Sequence, residues 1–114
     1  MSTYSPQFLL NFATGSIRFP LSPAGCQELR GVLESLTERL RITAGGSPTH
    51  QQSPVDHRRQ EEGLVLEVFC NPNIWPSPHA AKVLVTLKAS GLRFSSEVEL
   101  PRLLEDLSQF LEAS

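Results

Sequence analysis

The hydropathy pattern of this chain predicts an α+β fold: a two-layer domain in which an antiparallel sheet of about five strands is covered by two amphipathic helices, in the order β-β-α-β-β-β-α. Three features carry that prediction. Between Leu92 and Leu111 a period-two alternation hands over to helical spacing at Pro101. Between Leu29 and Leu40 apolar residues recur every three or four positions. The dipeptides Thr14-Gly15 and Ser90-Gly91 separate runs of alternating hydrophobicity by the short distance that suits hairpins.

Taken along the chain, Gln7 to Phe12 places Phe8, Leu10 and Phe12 on one face of a strand, and Ser16 to Leu21 does the same with Ile17, Phe19 and Leu21. Thr14-Gly15 joins them, with the glycine expected to supply the positive φ of a tight turn. Ser22-Pro23 reads as a helix start, a hydroxyl cap followed by proline at the first helical position. Leu29, Val32, Leu33, Leu36 and Leu40 then form one stripe, Arg39 and Arg41 sit in the last turn where cations favour the helix dipole, and Gly45-Gly46 ends the helix. Gly31, inside that helix, costs up to about 1 kcal/mol relative to alanine, which predicts a close neighbour there.

Residues 43–62 lack periodicity and are rich in Gly, Ser, Pro, Gln, His and Arg, so they are expected to form a flexible loop. Strand character resumes at Leu64 to Cys70, with Leu64, Leu66, Val68 and Cys70 on one face and Val65, Glu67 and Phe69 on the other. Asn71 to His79 is a proline-punctuated excursion. In Ala80 to Ala89, Val83, Val85 and Leu87 point inward and Lys82, Leu84, Thr86 and Lys88 outward. Ser90-Gly91 turns into Leu92–Leu100, and the last helix carries Leu103, Leu104, Leu107, Phe110 and Leu111 on one side.

With 114 residues the chain fits a single domain, 1–114, large enough to bury a core of its own. Its formal charge of −2 and pI near 5.9 argue against a strongly electrostatic nucleic-acid binder, and no segment is a basic block. Cys26, near a helix start, and Cys70, at a strand end, do not make a disulfide framework. The first ten residues lack a signal sequence and no apolar run is long enough to cross a membrane, so a soluble cytoplasmic protein with reduced thiols is expected.

The chain lacks the parts for most chemistries. A catalytic Ser or Cys needs a base and an orienting group, and the Ser-Gly pairs fall in turns rather than in a nucleophile elbow. Cys26 beside a helix start reads as a packing residue rather than a depressed-pKa nucleophile. His50, Asp56, His57 and His79 are the available metal donors, without CxxC, HExxH or an i, i+4 His pair. Gly45-Gly46 follows a helix instead of preceding one, so it makes no phosphate cradle. Glu97 and Glu99 share the solvated face of a strand, and His57-Arg58-Arg59 is hemmed in by Asp56, Glu61 and Glu62 in what reads as a solvated loop. No catalytic residue, metal or cofactor is therefore expected.

Two features remain. Ile74-Trp75 stands in the excursion, where the indole either folds back over the core or serves as an interface anchor. Val65, Phe69 and Leu84, with Leu9, fall on the outward side of their strands, where an apolar surface suits a protein partner or a second copy of the chain. The expected function is a non-enzymatic interaction or regulatory protein using Val65, Phe69, Leu84, Ile74 and Trp75. The alternative is a single-stranded nucleic-acid binder, with Arg18, Lys82, Lys88 and Arg93 tracking phosphates and Trp75 stacking on a base. A small-ligand module or enzyme has no residue constellation behind it.

The run from Gly63 to Leu111 (GLVLEVFC…KVLVTLKASGLRFSSEVELPRLLEDLSQFL), preceded by a two-stranded opening and a long helix, resembles a family of short uncharacterised cyanobacterial proteins. That family shares a fold class with the single-stranded-DNA-binding Whirly regulators and the positive-cofactor transcriptional coactivators. The resemblance lies in element order and brings no catalytic or binding motif. It implies nucleic-acid binding across a sheet and dimerisation through helices. This chain departs from that pattern in being acidic and in carrying Glu67, Glu97 and Glu99 on its sheet.

Overall fold

The computed structural model of the chain describes residues 6–44 and 52–114. Strands β1 (Gln7–Phe12) and β2 (Gly15–Pro20) form an antiparallel hairpin, and helix α1 (Pro23–Ala44) follows. Strands β3 (Val55–Glu61), β4 (Leu64–Cys70), β5 (Lys82–Ala89) and β6 (Leu92–Glu99) make an antiparallel meander, and helix α2 (Leu100–Glu112) closes the chain. The α+β class and the two helices are as the hydropathy pattern predicts. The strands number six, in sheets of two and four.

The additional strand is β3, and it corrects the flexible loop expected over 43–62. α1 also continues to Ala44, and residues 45–51, with His50 and the Gly45-Gly46 stop, lie outside the described residues. β3 escaped the hydropathy reading because its inward residues after Val55 are His57, Arg59 and Glu61. They overhang the first turns of α1, where Arg59 and Glu61 are hydrogen-bonded and the buried His57 Nε2 lies beside Glu28 without a hydrogen bond. His57 Nε2 is 3.3 Å from Glu28 Oε1, and Arg59 bridges Glu28 at 3.2 Å and Glu61 at 2.6 Å. His57-Arg58-Arg59 is thus strand, not loop: only Arg58 points to solvent. Turn chemistry supports the pairing, since Glu62 (φ 49°) and Gly63 (φ 80°) both take the left-handed conformation of a two-residue hairpin.

Both helices cover one face of the four-stranded sheet. Leu29, Leu33, Leu36 and Leu40 of α1 and Leu100, Leu103 and Leu107 of α2 bury against Leu66, Val68, Val83, Val85, Leu87 and Val98. Truncating any of these leucines to alanine costs about 2–5 kcal/mol, the range for lost burial plus a residual cavity. The hairpin docks on α2 through Phe8, whose ring meets Phe19 and Phe110 edge-on at 5.6 and 5.7 Å. Phe12 reaches Phe94 of β6 at 5.3 Å, and Asn11 Nδ2 donates to the buried Asp106 carboxylate, which Arg102 also holds.

The ends of the helices are fastened locally. Ser22 Oγ accepts from the Gly25 N–H at 3.0 Å, the cap that Ser22-Pro23 predicts. Pro101 occupies the first turn of α2, and the Leu100 N–H donates to the Ala81 carbonyl at 3.0 Å. Two glycine expectations are corrected. The first hairpin turns at Ala13-Thr14, with Gly15 already paired to Phe12 and without a positive φ. Gly31 has nothing within 4 Å of where a Cβ would stand; the close approach is at Gly25, beside Arg59 and Glu61.

Candidate functional site

With both helices on one side, the other side of the meander is open among the described residues. Register fixes its composition row by row. Asp56, Phe69, Leu84 and Glu97 lie abreast, as do Arg58, Glu67, Thr86 and Ser95 in the next row, and Gln60, Val65, Lys88 and Arg93 in the one after. Lys82 pairs with Glu99 at the opposite end. Adjacent rows lie about 7 Å apart, because residues i and i+2 of a strand share a face.

Phe69 and Leu84 are therefore directly opposed across β4 and β5, in the two central strands, and each is 41% exposed. Val65, half-buried, lies two rows along β4 from Phe69. The Lys88 ammonium sits 2.7 Å from Glu67 Oε1, and that hydrogen bond, ahead of all other influences, holds the Glu67 carboxyl below the usual range. Thr86 is buried although it faces outward, and its hydroxyl shares a hydrogen bond of 2.9 Å with Ser95. The surface is thus an apolar pair framed by charges of both signs.

The structure brings Val65, Phe69 and Leu84 onto one surface and separates them from the other two expected partner residues. Ile74 is 65% exposed in the 3₁₀ turn Pro72–Ile74, which Asn71 caps through the Asn73 N–H. Trp75 is half-buried and packs against the core on the helix side. There it helps to offset the effect of burial, which pushes the Cys70 thiol up. Lys82, Lys88 and Arg93 share the open face but not one end of it, and Arg18 lies on β2, opposite Leu9 in the separate hairpin. Asp56 and Arg58 belong to the same surface and were hidden by the loop reading of their segment. The available signal was Glu62-Gly63, a turn pair whose following strand implies a partner strand before it.

The most connected polar cluster elsewhere joins Ser22, Glu28, His57, Arg59 and Glu61. Ser22 Oγ donates to Glu61 Oε2 at 3.0 Å and the Ser22 N–H donates to Oε1 at 2.7 Å. Burial by itself would raise the Glu61 carboxyl, but hydrogen bonds from Arg59 and Ser22 outweigh it and hold the group below the usual range. This arrangement caps α1 and ties it to β3: the hydroxyl is engaged by an amide and a carboxylate, with no imidazole on it. Among the described residues no group of three His, Cys, Asp or Glu is placed to hold a metal ion.

Hollows open at the helix ends among the described residues. A cleft of about 580 Å³ between the hairpin, β6 and α2 is lined by Asn11, Lys82, Glu97, Glu99 and Arg102, charges of both signs. A smaller one, about 350 Å³, is mostly apolar and lies between Thr37, Pro78, His79, Pro101 and Leu104. No helix among the described residues is long and apolar enough to cross a membrane. Comparison with protein-family models, with curated proteins and with solved structures gave no match.

Proposed function

We propose that this chain is a non-enzymatic interaction protein that binds another polypeptide through the open face of its four-stranded sheet. The observation that carries the reading is the Phe69–Leu84 pair, two large apolar side chains side by side on the two central strands of an uncovered face. Burying them releases roughly 25 cal/mol for each Å² of apolar area removed from water, a gain that an unpartnered face forgoes. Val65 adds apolar surface beyond Glu67 on the same face of β4, and the charged residues around the pair supply the polar rim that protein interfaces carry. Cys26 and Cys70 are both buried and unpaired, which suits the reducing cytoplasm.

The nucleic-acid reading has Lys82, Lys88 and Arg93, joined on this face by Arg58, to offer to phosphates. Against it, Asp56, Glu67, Glu97 and Glu99 lie on the same surface, and Lys88 is engaged by Glu67. A polyanion is drawn by a field of one sign, which this face does not present.

A photo-crosslinking residue placed at Leu84 in the full chain, expressed in cells, tests the proposal. The expected result is a protein–protein adduct that is missing when the same residue is placed at Glu34, exposed on α1. Absence of any adduct at position 84, or an adduct with nucleic acid alone, overturns it.

A further inference from the structure

The two edges of the four-stranded sheet differ, and register says which main-chain groups each leaves unpaired. β5 and β6 close on Ala89 and Leu92 around the two-residue turn Ser90-Gly91, so that pair is hydrogen-bonded and so is every second pair from it. Phe94, Ser96 and Val98 therefore bond to β5, while Ser95 and Glu97 turn their N–H and C=O away from it. Glu99 turns its N–H the same way, its carbonyl being taken into the first turn of α2. The Ser96 hydroxyl donates to the Glu97 carbonyl at 3.2 Å, in place of the N–H that a further strand would supply. The same counting from the Glu62-Gly63 turn leaves Asp56, Arg58 and Gln60 unpaired on the outer edge of β3.

An open edge is a template for another strand unless something blocks it. On β3 the inward residues His57, Arg59 and Glu61 are such a block, with Arg59 tied to α1 through Glu28. β6 has Phe94, Ser96 and Val98 on its inward side, and the cleft of about 580 Å³ opens along its second half, at Ser96, Glu97 and Glu99. The end of the hairpin, Asn11 to Ala13, forms the opposite wall. Such a volume holds a ligand, and the ligand that a strand edge selects is an extended polypeptide, whose N–H and C=O groups alternate at the same spacing. Charge narrows the choice. Arg102 is held by Asp106, whereas Glu97, Glu99 and Lys82 make no ion pair among the described residues, which leaves two acids to one base.

We propose that β6 accepts an extended peptide as a fifth strand of this sheet, with Lys or Arg at the alternate positions that fall opposite Glu97 and Glu99. Directly opposed side chains of unlike charge favour each other in a sheet, so these two acids set both register and preference. The site goes beyond the proposed function, since it uses the edge of the sheet and not Phe69 and Leu84. One added strand is far smaller than a standard protein interface, so its Kd is on the order of 100 μM.

The probe is the peptide Thr-Lys-Val-Lys-Val-Lys-Thr, carrying fluorescein at its N-terminus and an amide at its C-terminus, followed by anisotropy with the full chain at up to about 1 mM. It should bind, and Thr-Glu-Val-Glu-Val-Glu-Thr should bind at least about tenfold more weakly. The chain carrying both Glu97→Lys and Glu99→Lys should reverse that preference, and both positions are exposed. Methylated amide nitrogens then separate strand addition from attraction between charges, with the protein unaltered. In an antiparallel strand whose lysines stand opposite Glu97 and Glu99, the lysine amides face β6 and the valine amides face away. Methylation at the lysines should therefore weaken binding more than about tenfold, and methylation at the valines should change it less than about twofold.

Absence of binding up to the highest concentration overturns the proposal. So does equal sensitivity to the two methylations, or sensitivity to neither, because charge attraction alone does not distinguish the two edges of a peptide. The crosslinker at Leu84 reads the open face, so its outcome and this one stand or fall separately.

Discussion

Gly25 and Gly31 belong to the same helix and should answer the same substitution with opposite signs. A Cβ at Gly25 would stand 2.6 Å from Arg59 Nε and closer still to Glu61 Oε2, two atoms held by each other, by Glu28 and by Ser22. Neither can move away without loosening the cap of α1. Gly31 faces open space, so an added methyl group meets no neighbour and only removes the entropy that glycine loses on entering a helix. Gly31→Ala is expected to raise the unfolding free energy by about 0.5–1 kcal/mol. Gly25→Ala is expected to lower it by about 1–3 kcal/mol, the usual cost of overpacking. Urea titrations of the two variants check both signs. The sequence singles out Gly31 because a glycine inside a helix is costly. The contact at Gly25 comes from side chains more than thirty residues away, and helical periodicity does not register it.

At the scale of the element, β3 is laddered to β4 along its whole length and tied to α1 by its polar inner side, so the strength of that tie should follow pH. Glu61 carries much of that connection, with Arg59 on one side and Ser22 on the other. Its carboxyl titrates lower in the folded chain than in the unfolded one. A group of that kind contributes its stability in full above the unfolded value, near 4.5, and loses it as the pH falls through the folded value. Glu61→Gln should therefore cost about 1–3 kcal/mol at neutral pH, the range for hydrogen bonds to a charged group. The difference between variant and wild type should shrink as the pH falls below 4.5 and through the folded value; melting curves across that window decide it, and a constant difference down to the acid limb rejects the assignment. The turn that ends β3 offers the reverse change. Glu62 holds φ at 49°, where asparagine is far better tolerated, so Glu62→Asn should stabilise by about 0.5–1 kcal/mol in the same melts. These two sites also explain what the sequence made legible. Strands β4, β5 and β6 announce themselves because their inward residues are Val, Leu and Phe. β3 does not, because an edge strand that overhangs a helix pairs its inward charges with that helix.

For the whole molecule, alternation along the strands separates two faces but does not say which is covered. That depends on where α1 and α2 land, and both land on the side of Val83, Val85 and Leu87. The open face, with Phe69 and Leu84 opposed on its two central strands, is legible as a set of outward residues, whereas the arrangement of its charges, Asp56 and Arg58 included, requires the register and the existence of β3. Covering one side also makes a single core, and the two cysteines sample it at separate places. Cys26 lies between the helices, its Sγ donating to the Leu107 carbonyl at 3.4 Å, and burial pushes its thiol up to about 11. Cys70 lies at the end of β4, its Sγ donating to the Lys82 carbonyl at 3.5 Å, and burial raises it as well. Both thiols are thus protonated at neutral pH and closed to reagents. If helices and sheet share one cooperative core, neither should react with iodoacetamide except through global unfolding. Their labelling rates should then rise with urea along one common slope, equal to that of equilibrium unfolding. A shallower slope at Cys70 than at Cys26 means that the β4–β5 end opens while the helix pair stays closed, and the one-core description fails. A common slope ties the open face to the same cooperative unit as the helices, so that whatever docks on Phe69 and Leu84 docks on a surface the core holds rigid.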